Sequence, residues 1–284
     1  MRKHIDSLFG TRLRLGLSKR AFALVREQGW SKTCTVLADA SLTEDIALEQ
    51  LVAQCHSIFN EHESKGSSLD ITLSDEWARL FMVTPPQNCT RLQDLQAATA
   101  MRFQALYGDA MTAWHVEADW QATDTFLACA VPKKLIDTLQ SLAKENGLRL
   151  AAIQPNFVAA WNATCSDLNK DHWIGVMHDQ QLTLGAISSN PQQQLAAVRH
   201  YAIPETATDA SWLREQVARL ALQIDAAVPQ QMSLLGNRQL LWISKDQKPD
   251  AKLPHIVNFG KDSLPASPES AISSIVMLAR SEAA

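Results

Sequence analysis

The alternation of strand and helix patterns along this chain predicts an α/β fold built as two lobes. Two observations carry it. A strand–turn–strand unit, followed by a further strand and a helix, occurs once in each half, which points to an internal duplication with a cleft between the lobes. The 284 residues are also 46% hydrophobic and 20% charged, enough apolar side chains to build a core in each lobe.

In the first half, Leu13, Leu15 and Leu17 alternate with Arg12, Arg14 and Gly16, the period of two expected of a half-buried strand. Lys19-Arg20 makes the turn, Ala21–Val25 returns, and Thr33–Leu37 reads as a third strand. Ser41-Leu42-Thr43-Glu44 has capping-box spacing and predicts the start of a helix. That helix carries the stripe Leu48, Leu51, Val52, Cys55, Ile58 and Phe59. Strands are expected at Leu69–Leu73 and Trp77–Val83, stopped by Pro85-Pro86. A helix over Leu92–Tyr107 presents Leu92, Leu95, Thr99, Phe103 and Leu106 on one side, and Gly108 closes it. Strands near Ala113–Glu117 and Thr125–Val131 lead to a helix with Pro132 at its first position and Asn146-Gly147 as a left-handed cap. A strand at Leu148–Ile153 and a short helix at Phe157–Ala163 follow.

The second half opens the same way. His172–Met177, a turn at His178-Asp179-Gln180 and Leu182–Ile187 read as strand, turn and strand, with another strand at Val198–Ile203. Asp209 is placed to cap a helix with the stripe Leu213, Val217, Leu220 and Ile224. Short strands at Leu240–Ile243 and His255–Phe259 and a helix at Ser267–Ala279 complete the reading.

Several function classes are disfavoured. A net charge of −4 and a pI near 6.1 give no electrostatic footprint for nucleic acid. The basic residues near the start, Arg2, Lys3, Arg12, Arg14, Lys19 and Arg20, read as a solvated strand edge, with contact to anionic lipid headgroups as the lesser alternative. No run approaches the roughly 18–20 apolar residues that span a bilayer, and Met1–Gly10 is too charged for a signal peptide. Five scattered cysteines without a C-x-x-C pair fit free thiols in a reducing compartment. The expectation is a cytoplasmic protein.

The chain has no Walker loop, nucleophile elbow, dinucleotide fingerprint or zinc-protease motif. His56, Glu61, His62 and Glu63 fit no standard metal spacing and read as a polar helix end. His172, His178 and Asp179 read as residues around a solvated turn, with a catalytic or metal trio as the alternative. Most of the eight tryptophans should be core or lobe-interface residues. Met101 falls opposite the apolar stripe of its helix and is the candidate partner-binding residue.

Three stretches resemble the actin-like assembly proteins of type IV pili and type II secretion, PilM and the cytoplasmic part of GspL. They are Leu13-Arg14-Leu15-Gly16-Leu17-Ser18; Ala130-Val131-Pro132-Lys133-Lys134-Leu135 with Asn146-Gly147-Leu148-Arg149-Leu150 and Ile153-Gln154-Pro155; and Trp173-Ile174-Gly175-Val176 with Gln181-Leu182-Thr183-Leu184-Gly185. The resemblance implies an actin-like fold of two RNase H-like lobes with mixed sheets. The first lobe would span residues 1–168, with a small inserted subdomain at about 86–152, and a shortened second lobe would span 169–284.

The departures from that pattern set the functional expectation. An ATP-using relative needs an acidic residue in the first hairpin strand to hold the metal, usually as Asp-x-Gly, and hydroxyl and glycine residues in the turn, whose N–H groups reach the phosphates. Here Leu15 and Leu17 flank Gly16, and the turn is Ser18-Lys19-Arg20-Ala21. Trp173-Ile174-Gly175 replaces the second acidic pattern, followed by the turn His178-Asp179-Gln180-Gln181. Leu241-Trp242-Ile243-Ser244 stands where the adenosine-side Gly-Gly is expected. Gly16, Ser18, Lys19, Gly175, His178 and Asp179 thus read as degenerate nucleotide-cleft positions, with no cofactor, no metal and no catalysis. The resemblance implies a scaffold at the inner face of the inner membrane, binding the tail of a PilN-like single-span protein and other assembly components. The alternative is an active actin-like ATPase or small-molecule kinase with drifted motifs, using ATP and Mg through Ser18, Lys19, His178 and Asp179.

Overall fold

A computed structural model describes residues 12–28, 33–42, 48–62, 64–165, 172–187, 195–207, 210–236 and 255–257. The chain divides into two compact units. Among the described residues, one comprises those up to Ala78 together with Val131–Ala159. The other comprises Arg79–Ala130 together with those from Ala160 onward.

The first unit is built on a mixed sheet of β1 (Arg12–Leu17), β2 (Ala21–Gln28), β3 (Thr33–Ser41), β4 (Ser68–Leu73) and β8 (Arg149–Pro155), in the order β3-β2-β1-β4-β8. β2 is antiparallel to β1 and β3, whereas β4 runs parallel to β1 and β8 parallel to β4. Leu13, Leu15 and Leu17 lie in register with Leu69, Ile71 and Leu73, and all six are buried. That continuous apolar face is why a central strand with two arginines on its other side still folds. The arginines are matched across the strands: Arg14 pairs with Glu27 at 2.7 Å and Arg12 with Asp70 at 2.6 Å. Helix α1 (Leu48–Glu61) packs on α3 (Lys133–Glu145), which packs on β8. α3 buries Leu135, Ile136, Leu139 and Leu142, as its stripe predicts. His56 reaches Asn146 Oδ1 and Glu145 Oε2, each at 3.0 Å, so it joins α1 to the end of α3 rather than gathering with Glu61 and His62.

The second unit repeats the plan strand for strand. β9 (His172–His178), β10 (Gln181–Ile187), β11 (Leu195–Ala202), β12 (Gln231–Gly236) and β13 (His255–Val257) form a sheet in the order β11-β10-β9-β12-β13. Again a hairpin and a third antiparallel strand are joined on the other side by two parallel strands. Helix α5 (Ala210–Gln223) buries Leu213, Val217 and Leu220 against this sheet's core, which holds Trp173, Leu182, Leu184 and Leu234. The same unit carries a three-stranded sheet, β5-β7-β6, from β5 (Arg79–Val83), β6 (Trp114–Ala118) and β7 (Phe126–Pro132). Helix α2 (Leu92–Tyr107) covers it through Leu95 and Phe103, packed with Phe81 and Phe126. Helix α4 (Asn156–Thr164) follows β8.

The structure corrects several expectations. The inserted subdomain comprises β5, α2, β6 and β7, and it falls in the second unit because β5 lies against β11. α3 and β8, expected inside the insertion, belong to the first unit because β8 completes its sheet. Among the described residues the chain passes between the units after Ala78, Ala130 and Ala159. Pro132 caps α3 rather than starting it, and Ser41 is a strand residue paired with Ala21. Leu92 and Leu106, assigned to the buried side of α2, are 52% and 40% exposed. β12 was not expected at all. The strand expected at Leu240–Ile243, the Asp209 cap and the helix at Ser267–Ala279 lie outside the described residues.

Candidate functional site

The two hairpins occupy equivalent places, each at the centre of its unit's sheet. Gly16 of β1 sits between Ala23 of β2 and Thr72 of β4, and Gly175 of β9 sits between Leu184 of β10 and Leu234 of β12.

The first turn is closed on itself. Ser18 is buried, and its Oγ accepts hydrogen bonds from the N–H groups of Arg20 at 3.2 Å and Ala21 at 3.0 Å. The Ser18 N–H donates to the Ala21 carbonyl at 2.9 Å. The Lys19 N–H donates to Glu76 Oε1 at 2.7 Å. Every backbone N–H from Ser18 to Ala21 therefore has an acceptor inside the chain. The topology explains the last bond: β4 runs parallel to β1, the Ser74 N–H continues their ladder to the Leu17 carbonyl at 2.8 Å, and the 3-10 turn Asp75–Trp77 follows directly. Glu76 is thereby carried over the hairpin. The Lys19 ammonium lies over the Trp77 ring, 5.5 Å from its centre.

The first hairpin offers a metal-bridged nucleotide no open turn N–H and no carboxylate beside its glycine. Leu15 and Leu17, beside the glycine, are buried core residues. Of the nearby carboxylates, Glu76 holds the turn and the buried Asp75 accepts the Phe157 N–H at 2.9 Å, at the start of α4. A phosphate approaching the Lys19 N–H would meet like charge at close range. Ser74 Oγ and the Trp77 indole N–H are buried without a partner among the described residues, but both are neutral.

In the second hairpin Gly175 serves packing. A Cβ there would stand 2.6 Å from Leu234 Cδ2 and 2.7 Å from Met232 Cε. Asp179 adopts the left-handed conformation, φ +50°, that the tight turn requires. Its carboxylate is 3.4 Å from Nε2 of the buried His178. His172 and His178 are buried rather than solvated, and the alternative trio does not assemble: His172 lies in β9 with Nε2 2.6 Å from Ser233 Oγ. Among the described residues no group of three His, Cys, Asp or Glu side chains is placed to hold a metal. Met101 is 73% exposed on α2.

Sequence reasoning missed Asp75, Glu76 and Gly236. The signal for the first two was Ser74-Asp75-Glu76 directly after the strand Leu69–Leu73. Leu241–Ser244, expected on the adenosine side, lies outside the described residues, and the strand parallel to β9 is instead β12, ending at Gly236. Gly236 is at φ +95°, and a Cβ there would lie 1.9 Å from the Met177 carbonyl oxygen.

This repeated mixed-sheet plan recurs in solved structures. The cytoplasmic domain of EpsL, an inner membrane component of the type II secretion system of Vibrio cholerae, superposes with a TM-score of 0.56 at 11% identity over 88% of this chain and 90% of that one. A Bacteroides thetaiotaomicron protein of unknown function with an actin-like ATPase fold gives 0.54 at 11% identity, covering 81% and 83%. The fold is actin-like. A PilM–PilN type IV pilus biogenesis complex gives 0.56 at 14% identity, covering 81% of this chain and 82% of its counterpart. No protein-family profile and no curated protein matches the sequence. Among the described residues no helix is long and apolar enough to cross a membrane.

Proposed function

We propose that this actin-like chain is a non-catalytic scaffold of type IV pilus or type II secretion-like assembly. It captures the cytoplasmic tail of a PilN-like single-span inner-membrane protein, and through that partner sits at the inner face of the membrane. The observation that carries the non-catalytic reading is the Glu76 carboxylate on the Lys19 N–H, where a phosphate-binding turn needs an open donor. The assembly role and the choice of partner are drawn from the likeness to the PilM–PilN complex and the EpsL domain.

Copurification with the tail of a PilN-type protein encoded beside this chain tests the scaffold role, with retention of the tail expected. Absence of binding to any such tail overturns it. Calorimetry with Mg-ATP tests the hairpin reading. No heat of binding is expected, and micromolar binding lost in Ser18→Ala or Asp179→Ala would establish the ATPase or kinase alternative.

A further inference from the structure

Although the chain is acidic overall, three arginines from three neighbouring elements lie around Tyr107, at the end of the helix that covers the inserted sheet. Arg79 opens β5, Arg102 lies on α2, and Arg199 lies on β11, which runs against β5. Tyr107, the last residue of α2, directs its hydroxyl at the Leu80 carbonyl of β5, 3.4 Å away. The Arg79 guanidinium stands 4.6 Å from the centre of the Tyr107 ring and 4.1 Å from that of Trp114. Arg102 Nε donates to the Met82 carbonyl of the same strand at 3.3 Å. Burial pushes the Tyr107 phenol up, and the fields of Arg79, Arg199 and Arg102 all pull it back down. Arg79 is paired with Asp109 at 2.6 Å, whereas neither Arg102 nor Arg199 has a carboxylate partner among the described residues. Leu106 lies one helical turn beyond Arg102 on the same side of α2 and is 40% exposed.

We propose that Arg79, Arg102 and Arg199, grouped around Tyr107 with Leu106 beside them, form a docking surface for an acidic peptide segment that also carries an apolar side chain. The proposal rests on the scaffold reading for its partner being a protein, and it names the surface that partner uses. Charge complementarity selects the occupant: Arg102 and Arg199, which have no carboxylate partner among the described residues, receive carboxylates, and the exposed Leu106 receives the apolar residue. Arg79, over the Tyr107 and Trp114 rings and paired with Asp109, adds its charge to the positive field around Tyr107.

The test is fluorescence anisotropy with the full chain and a short labelled peptide alternating Glu and Leu, beside a control alternating Lys and Leu. Binding of the Glu peptide alone is expected, weakened about tenfold or more in R102E/R199E while circular dichroism stays native. Both positions are exposed; if that double variant misfolds, R102Q/R199Q is read instead and a several-fold loss is expected. No binding of the Glu peptide, or equal binding by the variant, overturns the proposal. So does binding to phosphatidylglycerol vesicles that the same variant abolishes, since the surface would then serve the membrane. A PilN-type tail retained equally by wild type and R102E/R199E would sink this surface and leave the scaffold reading standing. Glu-peptide binding with no PilN-type tail retained would do the reverse.

Discussion

The Glu76 carboxylate accepts the Lys19 backbone N–H at 2.7 Å, so the first hairpin of this actin-like fold is closed by a residue from the end of the neighbouring parallel strand. The bond joins residues far apart in sequence, and an ionised acceptor makes it stronger than a neutral one. Glu76→Ala should destabilise the fold by about 1–2 kcal/mol, and Glu76→Gln by about half as much because its amide oxygen still accepts. Urea denaturation of the three proteins checks this. Equal stability of the Ala variant and wild type would mean the bond is idle in solution.

Gly236 and Gly175 separate two kinds of glycine requirement. At Gly175 an added methyl meets the tips of the Met232 and Leu234 side chains, which rotate away at a cost of about 1–3 kcal/mol. At Gly236 it meets the Met177 backbone carbonyl at 1.9 Å with φ at +95°, and backbone does not yield. Gly236→Ala should therefore be the more damaging. Met232→Ala should cost less in a Gly175→Ala background than in the wild type, because the added methyl partly fills the space it leaves, whereas no side-chain change should rescue Gly236→Ala. Thermal unfolding of the single and double variants reads both outcomes.

Much of this architecture was legible in the sequence, because it is written in side-chain period. The alternating leucines of β1 and the stripes of α1, α3 and α5 landed where burial puts them. Gln231–Gly236 escaped because Gln and Ser interrupt its apolar residues, yet a central parallel strand forms there by pairing with β9. The inserted subdomain was misassigned because its partner, β11, lies far along the chain, and no local pattern reports a long-range contact. The hairpins themselves could be read from Leu15, Gly16 and Gly175. What could not be read was that Glu76 closes the first one, since that depends on the register of β4 beside β1.

His172 gives the fold a pH dependence with a definite sign. Its imidazole is buried in β9, and burial lowers its pKa below the ordinary value of 6.5 against the opposing effect of a hydrogen bond to the Gln231 side chain. In the unfolded chain the imidazole takes up a proton near pH 6.5, roughly its free value, while the folded protein resists. The stabilising contribution is therefore complete above about pH 6.5 and is lost as pH falls toward the depressed folded value. The stability difference between wild type and His172→Gln, followed by urea denaturation from neutral to mildly acidic pH, should narrow on acidification. A difference that stays constant would show that His172 does not titrate differently in the two states.

Arg79 makes the last test, because its stability role and its proposed binding role predict different orders of variants. The guanidinium is stacked 4.1 Å from the Trp114 ring centre and paired with Asp109. Its side chain is 29% exposed, so solvent screening reduces the ion pair's share and the ring contacts carry most of the stabilisation. Arg79→Lys keeps the charge and loses the flat stacking surface, so it should cost about 1 kcal/mol, close to the cost of Arg79→Ala. A double-mutant cycle with Trp114→Leu should return a coupling of about 0.5–1 kcal/mol. Additive losses would place the stabilisation in the Asp109 pair instead. Peptide affinity should follow the other order, with Arg79→Lys retaining more binding than Arg79→Ala because a cation remains for the carboxylate to meet.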